Sequence, residues 1–188
     1  LMSLKVLQAD HFLRQSSDMS RSLGDRQHYA IRAIQQQPDE LEYRLALAEI
    51  EKQRQDYGSA LVQLQVADML AMDDPEIWRL QAELFTEWAV TDSQQSGRAE
   101  EIYHRMVLKA PNIARYHLAW GLTLGQMGNL EQAIQALERA VELDMTDVNA
   151  YRNLAIFYRV LSKDREADQA QRAAEYWLER TAKGVTTN

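Results

Sequence analysis

A chain of 188 residues with 46% hydrophobic and 26% charged side chains is long enough for a sizeable core and too apolar to be disordered. Seven Gly and three Pro are too few for an antiparallel all-β fold, and the absence of Cys removes disulfides, thiolate metal sites and Cys nucleophiles. A formal net charge of −7 repels a polyphosphate backbone, so nucleic acid is not an expected partner.

The opening segment, LMSLKVLQADHFLRQ, carries a polar side chain every few positions. It therefore supplies neither a signal core nor a membrane span, and no membrane insertion by this segment is expected. Leu4, Leu7, Phe12 and Leu13 make it amphipathic, and LGDRQHYAIRAIQQQP follows as a second helix, so residues 1–40 predict a degenerate N-terminal helical hairpin. LEYRLALAEIEKQRQ and DYGSALVQLQVADMLAM then predict paired helices over 41–74. PEIWRLQAELFTEWAV and RAEEIYHRMVLKAPN do so over 75–113, separated by a lengthened turn. ARYHLAWGLTLGQMGN with LEQAIQALERAVELD covers 114–147, and VNAYRNLAIFYRVL with READQAQRAAEYW covers 148–181. Residues 182–188 have no apolar period and are expected as a flexible tail.

Helix punctuation supports these boundaries. Asp39 with Glu42 and Asn129 with Gln132 read as capping boxes. Asp74 before Pro75 reads as an N-cap followed by the first helical position, and Asn112 as the cap after the stop at Pro111. Gly128 falls in a turn where a left-handed residue is needed.

Registers beginning at Leu41, Pro75, Ala114 and Val148 are spaced 34, 39 and 34 residues apart. Position eight of each unit is Ala48, Ala82, Gly121 and Ala155; position twenty is Ala60, Ala99, Ala133 and Ala167. Position twenty-seven holds Ala67, Met106, Ala140 and Ala174. Two helices approach closely only where side chains are short, so these columns mark the helix crossings. Bulky residues surround them: Trp78 and Tyr151 at position four, Leu47, Trp120 and Leu154 at seven, Phe85, Leu124 and Tyr158 at eleven.

With these columns and the unit AWGLTLGQMGNLEQAIQALERAVELD, the sequence from Leu41 to Thr181 resembles the tetratricopeptide-repeat (TPR) family. The resemblance implies an all-α fold, a right-handed α-solenoid or superhelix of tetratricopeptide helix–turn–helix repeats, and a protein or peptide as partner. Departures from the family pattern are Arg44 and Glu51 in the first unit, Gln81 in the second and Gln171 in the fourth.

Chemistry-bearing motifs are missing from this pattern. His11, His28, His104 and His117 are not at metal-binding spacing, and His117 at position four reads as a core histidine. The dispersed glycines form no phosphate-cradling loop, and no Gly-x-Ser-x-Gly elbow occurs. No enzyme activity, cofactor or metal is expected. Trp88, beside the insertion AVTDSQQSG, reads either as cover for the lengthened turn or as an exposed anchor.

The resemblance places positions two, five, nine, twelve and thirteen on the inner, concave groove of the superhelix. These positions are acidic early in the chain, as in Glu42, Glu49, Glu76 and Glu83, and basic and apolar late. The candidate partner-binding residues are Arg115, Leu118, Leu122, Arg152, Asn153, Ile156 and Arg159, with Arg79 and Glu83. They suit an acidic amphipathic helix or an extended acidic peptide. The Lys and Asn of the relatives that clamp chaperone C-termini are absent, since Leu45 with Glu49, Arg79 with Glu83 and Leu118 with Leu122 stand there.

The expected function is thus a non-catalytic scaffold mediating protein–protein interaction through its groove. One alternative is self-assembly into a homo-oligomer through Tyr176 and Leu178 on the last helix. Another follows from PEIWRLQAELFTEWAV and AEEIYHRMVLKAPN, which are similar to soluble repeat tails of bacterial O-antigen ligase or polymerase-type membrane enzymes. A soluble chain is expected, in the cytoplasm by preference, with the extracytoplasmic side of a bacterial membrane as the alternative.

Overall fold

The computed structural model describes residues 4–183, which form ten α-helices and one short 3-10 turn, with no strand among the described residues. The chain divides into two compact units, Leu1–Asp92 and Ser93–Asn188. The first holds α1 (Leu4–Ser16), α2 (Leu23–Gln36), α3 (Leu41–Gln53), α4 (Tyr57–Ala71) and α5 (Pro75–Trp88). The second opens with the 3-10 turn Ser93–Gln95 and continues through α6 (Ser96–Lys109), α7 (Ala114–Gln126), α8 (Leu130–Leu143), α9 (Val148–Val160) and α10 (Asp164–Ala182). The expected tail beyond residue 183 lies outside the described residues.

In the first unit α1 pairs with α2 and α3 with α4; in the second α7 pairs with α8 and α9 with α10. The connections are short, which makes the paired helices antiparallel neighbours. Their contact is made by the small columns. On these helices Ala60, Ala67, Ala133 and Ala167 are completely buried; Ala82 on α5 and Ala99 on α6 are buried as fully. At Gly121 the approach is closer still: an added Cβ would lie 2.9 Å from Leu137 Cγ and 3.1 Å from the Ala133 carbonyl oxygen. Glycine stands there because α7 rests on the α8 backbone. At Gly125 a Cβ would overlap the Phe157 ring, so α9 packs its Phe157 onto bare α7 backbone. The large partners complete each core: Trp78, Leu84, Met106 and Leu137 are at most 2% exposed.

Three caps differ from the sequence expectation. Glu40, not Asp39, is the N-cap of α3, because the helix begins one residue later than the capping box requires, and no side chain caps it. Asn129 is the N-cap of α8 but its side chain makes no cap bond. The N-cap of α7 is Ile113 rather than Asn112, again without a side-chain bond. Asp74 does cap α5, accepting from the Glu76 N–H at 2.9 Å with Pro75 following. Asp56 and Asp147, unremarked in the sequence, cap α4 and α9 by accepting from Ser59 N–H at 3.0 Å and Asn149 N–H at 2.9 Å.

Gly128 has φ +82°, as the turn requires, and the same register position is left-handed in two other hairpins, at Gln55 (φ 61°) and Ser162 (φ 57°). An L side chain pays for that conformation with steric strain of about 1–2 kcal/mol, part of which glycine gives back as lost unfolded-state entropy. Gln55→Gly and Ser162→Gly are each expected to stabilise the chain by about 0.5–1 kcal/mol, measured as a raised urea midpoint at constant m-value. In the second repeat the corresponding residue, Ala89, stays right-handed at φ −61°, and the chain runs on through a turn into Ser93–Gln95.

Candidate functional site

The residues singled out from the sequence do not form one cluster: Arg79 and Glu83 belong to the first unit and the other seven to the second. On α7, Arg115, Leu118 and Leu122 follow at spacings of three and four and share a face; on α9, Arg152, Ile156 and Arg159 do the same. The two helices are in contact. Leu118 is half-buried against the core that contains Leu137 and Leu154. Ile156 is 55% exposed and Val160 is 63% exposed, so this face carries aliphatic surface open to solvent.

The charges on that face differ in how far they are engaged. The Arg115 guanidinium lies 5.3 Å from the centre of the Tyr116 ring, and the residue is exposed. Arg159 reaches Asp168 of α10 at 3.3 Å, but both side chains are more than half exposed. Such a pair contributes about 1 kcal/mol at most and exchanges readily. Arg152 is exposed, and among the described residues no ion pair engages it. Asn153 is occupied locally, its Nδ2 donating to the Asn149 carbonyl at 2.8 Å.

Arg79 is committed within its own helix. Its Nε donates to Glu76 at 2.9 Å, and its two terminal nitrogens contact Glu76 and Glu83. The hydrogen bonding of the guanidinium to Glu76, against some burial and with help from Glu83, holds its pKa above even the usual arginine range. Arg79 and Glu83 therefore neutralise each other rather than projecting separate charges.

The first unit also contains a recess absent from the residues chosen above. Leu45, Ala48, Leu64, Leu80 and Leu84, with Glu49 and Lys52 at its mouth, enclose about 140 Å³ among α3, α4 and α5. Lys52 Nζ lies 3.1 Å from Glu49 and 3.3 Å from Glu87, tying α3 to α5 across the opening. Burial acts to lower the Lys52 pKa, but the two carboxylates outweigh it and hold the amine above its usual value. Leu45, Glu49 and Lys52 occupy inner-surface positions of the repeat, which was the available signal; Leu80 and Leu84 do not, which hid the recess.

Two of the polar departures from the repeat pattern, Glu51 and Gln81, are core groups with partners, whereas Arg44 is half-buried and Gln171 is exposed. Glu51 is 4% exposed and accepts from Gln27 Nε2 at 2.7 Å. Gln81 Nε2 donates to the Leu64 carbonyl at 3.3 Å. His117 is buried, its Nε2 2.8 Å from the Pro111 carbonyl oxygen, as a core histidine should be. Trp88 is half-buried and stacks on Phe85 and Tyr57, with centroids at 6.2 and 5.9 Å, so it packs rather than standing out as an anchor. Among the described residues no group of three or more His, Asp or Glu is placed to hold a metal ion, and no helix is long and apolar enough to cross a membrane.

Comparison with known proteins gives the fold a context. Residues 114–159 match the family model described as TPR repeat. No curated protein sequence matches the chain. Among solved structures it is similar to a crystal structure of the MamA protein, at 16% identity and a TM-score of 0.75, with 96% of this chain and 97% of that one covered. MamA 41-end from Desulfovibrio magneticus RS-1 is similar at 18% identity and a TM-score of 0.74, with 99% and 100% covered. YrrB, described as a TPR protein with an unusual peptide-binding site, is similar at 15% identity and a TM-score of 0.68, with 96% and 91% covered. At these identities the likeness is one of fold.

Proposed function

We propose that this chain, whose residues 114–159 match the TPR repeat model and whose fold is similar to that of TPR proteins, is a non-catalytic scaffold that holds a protein or peptide partner on the first helices of its repeats. The face formed by α7 and α9 is the surface assigned to that task. The observation that carries the assignment is the solvent-open Ile156 beside an exposed Arg152, with Leu118 and Leu122 half-buried on the neighbouring helix. Aliphatic surface supplies the area to be buried, and the guanidiniums select a carboxylate-bearing partner. Asp168 sits where a partner's carboxylate would pair with Arg159, and its exposed ion pair is weak enough to be exchanged for one. Peptide binding by the similar YrrB protein supports the same reading.

Selection from a peptide display library against the immobilised chain tests this. The expected result is enrichment of amphipathic sequences with Asp or Glu beside an aliphatic residue. The double substitution Arg152→Glu with Arg159→Glu should then weaken the selected peptides at least tenfold, about 1.4 kcal/mol, by reversing the sign of the face. Selected peptides that bind the double variant unchanged would remove this face as the binding surface.

A further inference from the structure

Whereas the α7 and α9 face belongs to the second unit, the recess among α3, α4 and α5 belongs to the first. Its walls are Leu45, Leu64, Leu80 and Leu84, and its volume of about 140 Å³ is open on one side. Engineered apolar cavities of about 150 Å³ take up benzene, so a guest group the size of a leucine side chain or a phenyl ring is the right measure.

The mouth sets the sign of the guest's surroundings. Lys52 is the cation there, but its side chain is only 22% exposed and lies between Glu49 and Glu87, which are 48% and 50% exposed. A group arriving from solvent meets carboxylate oxygens before it meets the ammonium. The neighbouring inner-face charges add to this: Glu42 is exposed on α3, and on α5 the single cation, Arg79, is shared between Glu76 and Glu83. An apolar recess within a carboxylate-rich rim is complementary to an aliphatic side chain flanked by lysine or arginine. An acidic peptide of the kind suited to the α7 and α9 face would be repelled here.

We propose that this recess docks a basic peptide segment of a partner protein by one leucine-sized side chain. The side chain enters among Leu45, Leu80 and Leu84, and the partner's cations flanking it pair with Glu49 and Glu87. Lys52 links Glu49 of α3 to Glu87 of α5 beside the recess. Burial of the aliphatic group supplies the affinity, and the half-exposed carboxylates supply orientation and association rate.

The test is a methyl-resolved NMR titration of the full chain with four probes: the capped peptide Lys-Lys-Leu-Lys-Lys, its alanine-centred analogue, Glu-Glu-Leu-Glu-Glu, and benzene. The first peptide is expected to shift the methyl signals of Leu45, Leu80 and Leu84 saturably, and the other two peptides to bind at least tenfold more weakly. Glu87→Lys, a change at a half-exposed side chain that is not one of the lining residues, should weaken the basic peptide at least tenfold and favour the acidic one, with unchanged benzene uptake by the variant as the sign that the recess is still formed. Equal binding of all three peptides, shifts confined to other methyl groups, or unchanged binding by Glu87→Lys would each overturn the proposal. Uptake of benzene without the basic peptide would also overturn it, by making the recess a small-molecule cavity. Because none of these readouts involves α7 or α9, failure here leaves the proposed scaffold face to its own test.

Discussion

Trp78→Ala is expected to lower the stability of the chain by about 3–5 kcal/mol, the range for deleting an enclosed aromatic side chain. The indole is 2% exposed at the first turn of α5, just after the Asp74 cap and Pro75 have fixed where that helix starts. Its Nε1–H donates to Asp68 Oδ1 at 3.1 Å, so truncation both opens a cavity and deprives a half-buried carboxylate of a donor. Trp88, on the same helix, is the internal control. It is only half-buried and stacks on Phe85 and Tyr57, so Trp88→Ala should cost well under half as much. Urea denaturation of the two variants at a common m-value measures the difference. Equal losses would mean that the position-four side chain does not anchor α5.

The crossings between paired helices were legible in the sequence because the constraint on them is steric and periodic. Close approach of two helix axes favours alanine or glycine where they cross, and that place recurs with the repeat. Hence the alanines of position twenty are all fully buried, and Gly121 marks a crossing too tight even for a Cβ. Helix starts were less legible. Asp39 and Asn129 are good capping residues by type, but a cap needs the side-chain oxygen at one particular residue of the entering turn. A helix that starts one residue later, as α3 does after Glu40, leaves the motif idle.

The candidate surfaces were legible only in part, for a similar reason. Exposure of Ile156 and Arg152 follows from their place on the helix, which periodicity gives. Whether a charge is available depends on neighbours brought in by tertiary structure, such as Asp168 beside Arg159, or by rotamer choice, as with Glu76 and Glu83 around Arg79. The apolar recess needs leucines from α3, α4 and α5 at once, and two of them, Leu80 and Leu84, fall between the inner-surface positions. No single column of the repeat contains it.

Arg26→Ala is expected to destabilise the chain by about 2–3 kcal/mol, although it installs the residue that the repeat asks for. Counting the register back from Leu41 puts Arg26 at position twenty, where the four later units have alanine, so pattern alone would favour the substitution. The structure reverses that expectation. Arg26 is 7% exposed, and its Nε donates at 2.8 Å to the carbonyl of Ser16, the last residue of α1, whose carbonyl has no partner within the helix. Its Nη1 donates to Gln53 Oε1 at 3.0 Å, joining the leading hairpin to α3. One charge-assisted bond to a buried acceptor contributes about 1.5–3 kcal/mol, and the aliphatic stem adds packing that alanine cannot replace. Arg26→Met separates the two contributions: it keeps most of the stem and removes every donor, so it should recover the packing part only. If Arg26→Ala instead raised the urea midpoint, close approach of α1 and α2 would outweigh the bonds of the guanidinium. The leading hairpin would then behave as an ordinary repeat rather than as one fastened by a buried cation.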